Sequence, residues 1–147
     1  MKHLLSLLLF TGAPLLHAEP PPSRILFGSC IKQDRPAPIF DAILAREPEA
    51  FLFIGDNIYG DTEDMAVLKA KYETLAAIPR FAKLRKTCPL YATWDDHDYG
   101  ANNAGSEYPM RAESAKVFND FWQVPADSPR RQREGIYDSV LLGSSDK

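Results

Sequence analysis

"AFLFIGDNIYGD" (residues 50–61) joins an unbroken apolar run to a polar cluster. The apolar run ends at Gly55 and shows no alternation between apolar and polar positions. A strand of this kind is typical of a parallel sheet that is covered on both faces. The stretch therefore predicts a buried parallel strand that ends in a loop of polar side chains.

Two further apolar runs have the same form on either side of it. "RILFGSC" (24–30) precedes it, and "CPLYATW" (88–94) leads directly into "DDHDYG" (95–100). Helical spacing of apolar residues separates the runs, and the helix over 61–78 has Asp61 or Thr62 as its candidate N-cap. This alternation predicts an α/β fold with right-handed crossovers. The predicted helices are 37–50, 61–78, 79–87 and 110–124, and a last candidate strand is 136–143.

Composition limits the classes of function. The chain has 147 residues, 45% of them hydrophobic, which is enough for one domain with a single core. Charged residues make up 25% and the formal net charge is −3. This balance gives no indication of a nucleic-acid partner or of binding to an anionic membrane surface.

The N-terminal stretch has the layout of a secretory signal peptide over residues 1–18. It has a short basic start, an apolar stretch and a small residue, Ala18, at the cleavage position. A buried N-terminal helix is the alternative, but Gly12 and Pro14 argue against it. The apolar stretch is shorter than the ~20 residues of a spanning helix, so no transmembrane segment is expected in the mature chain. We expect export to the periplasm or the extracellular space, with 19–23 as a proline-rich spacer.

The polar residues that follow the three strands are expected to meet at one edge of the sheet, where open α/β folds bind ligands. Carboxylates in such a cluster repel one another unless a cation offsets their charge, so a bound metal is the economical explanation. Carboxylate oxygens suit hard cations, whereas thiolate and imidazole prefer transition metals, and the mixed set suits two unlike ions. Two-metal sites have the geometry of phosphoester hydrolysis. The converging residues are Ser29, Cys30, Asp56, Asn57, Tyr59, Asp61, Asp95, Asp96, His97 and Asp98.

"FGSC" (27–30), "GDNIYGD" (55–61) and "WDDHDYG" (94–100), in this order, resemble the alkaline phosphatase D family, also called PhoD-like, of the calcineurin-like metallophosphoesterases. The resemblance runs from about Ile25 to Tyr137. It implies a four-layer α/β/β/α fold that hydrolyses phosphomonoesters or phosphodiesters with iron and calcium. Small phosphoesters and phospholipids are the implied substrates.

The resemblance also implies roles for individual residues. Cys30 and Tyr59 would ligate the iron, and Asp56 would bridge the two metals. Asp96 matches a metal-binding position, and His97 matches the catalytic histidine that assists the leaving group. Three residues are expected to support the ligands or to act as further ligands: Asn57, Asp95 and Asp98.

Plainer interpretations exist for the same residues. Asp56 and Asn57 are good turn formers, Tyr59 could be ordinary packing, and a lone histidine is more often structural. Asp98 would then orient His97 or cap the following turn. The clustering of acids favours the metal interpretation.

The two cysteines raise the question of a disulfide, which is the default in an exported chain. Cys30 follows the first strand and Cys88 precedes the third, so parallel strands place them on the order of 15 Å apart. A disulfide needs Cα atoms within about 7 Å. We therefore expect Cys30 to be a ligand and Cys88 to be a small buried hydrophobe.

Two other functions compete with the metallophosphoesterase. "GDN" is similar to the "GDS" block of secreted serine esterases, but Asn57 stands where those enzymes need serine, and no G-x-S-x-G elbow occurs. The other competitor is an inactive metal-binding fragment, because PhoD-like domains continue with further strands and a histidine-bearing segment. We accordingly expect 24–147 to be the N-terminal part of such a domain, with mainly its first sheet and helices.

Overall fold

The computed structural model describes residues 20–143, so the predicted signal peptide lies outside the described residues. Three parallel strands form one sheet in the order β1-β2-β3. The strands are β1 (Ile25–Gly28), β2 (Ala50–Ile54) and β3 (Leu90–Thr93). The parallel sheet and the three predicted apolar strands are confirmed.

Helices connect the strands and continue the chain after them. They are α1 (Ile39–Leu44), α2 (Met65–Ala76), α3 (Pro79–Thr87), α4 (Asp96–Tyr99) and α5 (Arg111–Phe121), followed by a 3₁₀ helix over Pro129–Gln132. The described chain is therefore mixed α/β, as the alternation predicts. Within residues 20–143, no helix has the length and apolar character needed to span a bilayer.

The core lies between the helices and one face of the sheet. Phe51 and Phe53 of β2 are each 2% exposed, and their rings make an edge contact at 4.7 Å. Helix α2 contributes a buried stripe at positions 68, 72 and 75, the spacing of one helical face. Cys88 belongs to this core and is 8% exposed, as expected for a small buried hydrophobe.

The other face of the sheet is largely open in the described chain. Phe27 of β1 is 71% exposed and Ile54 of β2 is 47% exposed. Tyr137 and Val140 line a groove against this face, but they cover only part of it. Within the described residues, β2 is therefore covered on one face only.

Two predicted element boundaries are wrong. The segment 136–143 contains no strand among the described residues, because Arg133 Nη1 donates at 2.6 Å to the Tyr137 carbonyl that a ladder would use. Helix α2 begins at Met65 and is capped by Asp64, whose Oδ1 accepts from the N–H of Ala66 at 2.8 Å. The predicted caps, Asp61 and Thr62, precede the helix.

Candidate metal centre

The loops that follow the three strands meet at the carboxyl edge of the sheet. The N–H groups of Cys30 and Ile31 donate to the carbonyls of Gly55 and Asp56 at 3.3 and 2.9 Å. The N–H of Gly60 donates to the His97 carbonyl at 2.9 Å. The predicted convergence of the strand ends is confirmed by these backbone contacts.

Two glycines permit this close approach. Gly55 has φ +110, and a Cβ there would lie 2.7 Å from Asp95 Cβ. A Cβ on Gly60 would lie 2.7 Å from the His97 carbonyl oxygen and 2.5 Å from Leu68 Cδ1. Larger residues at these positions would push the second loop away from the third.

Three of the predicted site residues form a compact cluster. Asp56, Asp96 and His97 are half-buried, and each offers a ligand atom within 4.8 Å of the others. Asp56 Oδ1 is buried and has no hydrogen-bond partner among the described residues. A buried carboxylate oxygen without a donor is costly, and a cation would compensate it. The two carboxylates offer oxygen donors that suit a metal ion, and the imidazole lies beside them.

Cys30 and Tyr59 both contact the other oxygen of Asp56. The Cys30 thiol lies 3.6 Å from Asp56 Oδ2, and the Tyr59 hydroxyl lies 3.3 Å from the same atom. Burial, together with the charges of Asp56 and Cys30, raises the pKa of Tyr59 to about 12. Both predicted iron ligands therefore border the three-residue cluster through Asp56.

His97 is held by Asp61 and not by its sequence neighbour Asp98. His97 Nδ1 lies 2.7 Å from Asp61 Oδ1, and the imidazole packs at 4.3 Å from the Tyr59 ring. Burial opposes the charged imidazole, but the hydrogen bond and the charge of Asp61, with Asp56 and Asp96 nearby, raise the pKa of His97 above its ordinary value. The bond at Nδ1 leaves Nε2 as the nitrogen for other chemistry.

Asp98 points away from the cluster and bonds the backbone of the loops that carry it. It is fully buried and accepts from the backbone N–H of Asp95 at 2.7 Å and of Asn57 at 3.1 Å. Asn57, also fully buried, bonds Asp98 through its side-chain amide and donates to the Thr93 carbonyl at 2.7 Å. Of the two expectations for Asp98, the structure shows the cap and not the contact with His97, because its Oδ1 accepts from the N-cap N–H of Asp95 and completes the capping box of α4.

Asp95 and Asp96 begin the short helix α4. Asp95 is its N-cap, and Asp95 Oδ1 accepts from the Asp96 N–H at 3.0 Å. Asp96 Oδ2 accepts from the backbone N–H of Asn103, and this bond lowers the pKa of the Asp96 carboxyl. Asp96 is therefore disposed to be ionised, the form that binds metals, while Asp95 supports the turn.

The loops bend sharply at three of the site residues. Cys30, Asp56 and Asp61 have φ values of 61, 49 and 45, in the left-handed region that side chains other than glycine seldom adopt. Such conformations cluster at functional sites, where the surrounding fold sustains them.

The cysteines are not joined. Cys30 is an exposed free thiol and Cys88 is a buried one. The geometric prediction against a disulfide is confirmed.

Residues outside the predicted set also shape the site. Gln33 is buried, and its side chain accepts from the Tyr59 N–H at 3.0 Å and donates to the Tyr59 carbonyl at 3.5 Å. Lys71 donates to the carbonyls of Tyr59 and Gly60 at 3.0 and 2.6 Å. Gln33 lies three residues after Cys30, and Lys71 lies on the predicted helix 61–78. Neither residue belongs to the polar clusters that follow the strands, so these positions were the only sign of a role in the sequence.

No family model, no curated protein and no solved structure matches this chain. The chemistry of the site therefore has to be inferred from its own residues.

Proposed function

We propose that the chain is an exported metal-dependent phosphoesterase of the PhoD-like kind, which hydrolyses phosphomonoesters or phosphodiesters. The observation that carries this proposal is the cluster of Asp56, Asp96 and His97 within 4.8 Å, with Asp56 Oδ1 buried and lacking a donor. A cation removes both the repulsion between the carboxylates and the unmet hydrogen-bonding need of Oδ1. The layered α/β/β/α fold belongs to the same proposal.

Four residues would hold the metals, proposed to be iron and calcium: Cys30, Asp56, Tyr59 and Asp96. Asp56 is central because Cys30 and Tyr59 both contact its Oδ2, leaving Oδ1 for a further ion. Burial, with the charges of Asp56 and Cys30, raises the pKa of Tyr59 to about 12, so ligation by this hydroxyl would require a cation that stabilises its ionised form. When bound, the metals would supply positive charge to the phosphoryl oxygens.

His97 is the proposed general acid. Asp61 fixes the ring through Nδ1, so Nε2 can carry the proton that a leaving oxygen needs. Although burial opposes the charged imidazole, the hydrogen bond and charge of Asp61 raise the pKa of His97, which shifts the ring towards its protonated form. Asp61 positions this histidine and also accepts from the Asn102 N–H at 3.0 Å. This bond connects the Asp61–His97 pair to the loop after α4.

Metal analysis and hydrolysis assays test this function together. We expect the purified protein to contain stoichiometric metal and to hydrolyse an aryl phosphodiester or phosphomonoester, with activity lost on chelation and restored by the metal. Asp56→Asn is expected to reduce metal uptake at least tenfold, because one oxygen donor becomes an amide nitrogen. It suits the test because asparagine tolerates the left-handed backbone at this position.

Asp34→Asn is a matched control, since Asp34 is exposed and lies outside the cluster. This control is expected to leave metal content and turnover unchanged. Turnover that persists after complete chelation would exclude the proposal.

An inactive metal-binding chain is the second candidate. It is favoured by one observation: only Asp56, Asp96 and His97 form a group of candidate ligands in residues 20–143, and structural or catalytic sites commonly use more donors. Stoichiometric metal without turnover would support it.

A serine esterase has less support. Ser29 Oγ contacts the Cys30 thiol at 3.4 Å, and within the described residues no hydrogen bond joins Ser29 to His97. Ser29→Ala is therefore expected to retain activity, whereas a serine esterase would lose all of it.

A further inference from the structure

The loop after β1 holds Lys32 at a fixed place beside the metal cluster. On one side of it, the Ile31 N–H donates to the Asp56 carbonyl at 2.9 Å. On the other side, buried Gln33 makes two hydrogen bonds to the backbone of Tyr59, at 3.0 and 3.5 Å. The backbone on both sides of Lys32 is thus fastened to the loop that carries Asp56.

The Lys32 ammonium lies over the aromatic ring at the centre of the site. Its Nζ is 4.8 Å from the centroid of the Tyr59 ring. The same ring packs at 4.3 Å from the His97 ring, and its hydroxyl is 3.3 Å from Asp56 Oδ2. The Tyr59 ring therefore contacts both the ammonium and the proposed general acid, and its hydroxyl contacts the proposed bridging carboxylate.

The two lysines that contact Tyr59 differ in whether their ammonium group is available to bind a ligand. Lys71 is committed to the fold, because its ammonium donates to the carbonyls of Tyr59 and Gly60. Lys32 is exposed and, within residues 20–143, forms no salt bridge with a carboxylate. A cation–π contact at an exposed site is weak, so a stronger partner can draw the ammonium away from the ring.

The negative charge around the site indicates a role for such a cation in binding an anionic substrate. Asp56, Asp61 and Asp96 make the edge of the sheet acidic, and an anionic substrate must approach it. Lysine is a compact, strongly charged donor that binds phosphate oxygens as a point charge. We propose that Lys32 binds a non-bridging phosphoryl oxygen of the substrate, an inference that rests on the proposed phosphoesterase function.

Inorganic phosphate titrated into the metal-loaded full-length protein tests the role of Lys32 without requiring turnover. Calorimetry or ³¹P NMR would compare the wild type with Lys32→Gln, Lys32→Arg and the control Lys69→Gln. We expect Lys32→Gln to weaken phosphate binding about tenfold or more, the loss of one charge-assisted hydrogen bond. Lys32→Arg keeps the charge and is expected to retain most of the affinity.

Lys69→Gln is the matched control, because Lys69 lies on the exposed side of α2, where Glu73 is its ion-pair partner at 3.7 Å. It is expected to bind phosphate as the wild type does. In a chain that turns over ester, Lys32→Gln is also expected to raise KM by a similar factor, with metal content unchanged.

The outcomes separate this inference from the function on which it rests. Equal phosphate affinity in the wild type and in Lys32→Gln, with metal bound in both, overturns the role of Lys32 and leaves the metal site standing. A metal-loaded wild type that binds no phosphate also overturns it. Failure of the wild type to take up metal overturns the proposed function and this inference together.

Discussion

Asp61 and His97 stand 36 positions apart in the chain, yet Asp61 Oδ1 lies 2.7 Å from His97 Nδ1. The sequence placed both residues at the same edge of the sheet, because each follows a strand of a parallel pair. It could not show which of the surrounding aspartates would reach the imidazole. Sequence proximity favoured Asp98, but α4 turns that carboxylate towards Asn57 and leaves the position beside Nδ1 to Asp61. Pairings of this kind depend on how a turn aims its side chains.

The buried carboxyl of Asp98 predicts a pH dependence of folding stability in the metal-free protein. Burial raises the pKa of Asp98 to about 7, from an ordinary value of 3.8. Between these values the folded protein keeps a proton that the unfolded chain releases, so stability is expected to fall as pH rises from 4 to 7. The slope from this group is at most about 1.4 kcal/mol per pH unit, measurable by urea denaturation.

Asp98→Asn isolates that contribution. The variant is expected to be less stable throughout, because an amide nitrogen cannot accept the N–H bonds that Asp98 accepts. Its stability is nevertheless expected to vary less with pH than that of the wild type. His97, whose raised pKa also makes stability fall as pH rises, contributes near the upper end of the range in both proteins. Identical slopes in the two proteins would show that Asp98 does not titrate in this window.

Among the secondary-structure elements, the strands were the most predictable part of the fold. Runs such as 50–54 are apolar at every position, which few structures other than a buried strand accommodate. The final segment, 136–143, is also rich in apolar residues but pairs with neither edge strand, β1 or β3. Ile136 is buried, and Arg133 occupies the carbonyl of Tyr137. Composition alone cannot distinguish a strand from an apolar segment anchored in this way.

The N-terminus of α2 gives a prediction at its cap. Asp64 Oδ1 accepts from the backbone N–H groups of Ala66 and Val67 at 2.8 and 3.3 Å. Asp64→Ala is expected to reduce the free energy of unfolding by about 1 kcal/mol, and Asp64→Asn by much less, in urea denaturation. Glu63→Ala serves as the control in the same turn. If Asp64→Ala had the same free energy of unfolding as the wild type, the cap would contribute nothing to stability.

Three residues in the same stretch could have capped the helix on chemistry alone: Asp61, Thr62 and Asp64. The choice is made by tertiary contacts, because Asp61 is occupied by His97 and by the N–H of Asn102. The helix therefore begins after the residues that contact the candidate site. Its late start was not predictable without knowing that Asp61 belongs to the site.

Across the described residues, one face of the sheet is covered and the other is largely open. Phe53 points into the helical layer and is 2% exposed, whereas Phe27 lies on the open face and is 71% exposed. Phe53→Ala is expected to cost about 3–5 kcal/mol of stability. Phe27→Ser is expected to change it by less than about 0.5 kcal/mol in the same urea denaturation experiment. A large loss from Phe27→Ser would show that the open face is covered in solution.

The left-handed backbone at Cys30, Asp56 and Asp61 has a consequence for the arrival of a cation. Each such bend costs on the order of 1 kcal/mol, and the cost is met when the chain folds, well before any ion is encountered. We therefore expect a cation at the proposed site to meet Cys30 and Asp56 in loops that are already bent, so that little of its binding free energy would be needed to reshape them.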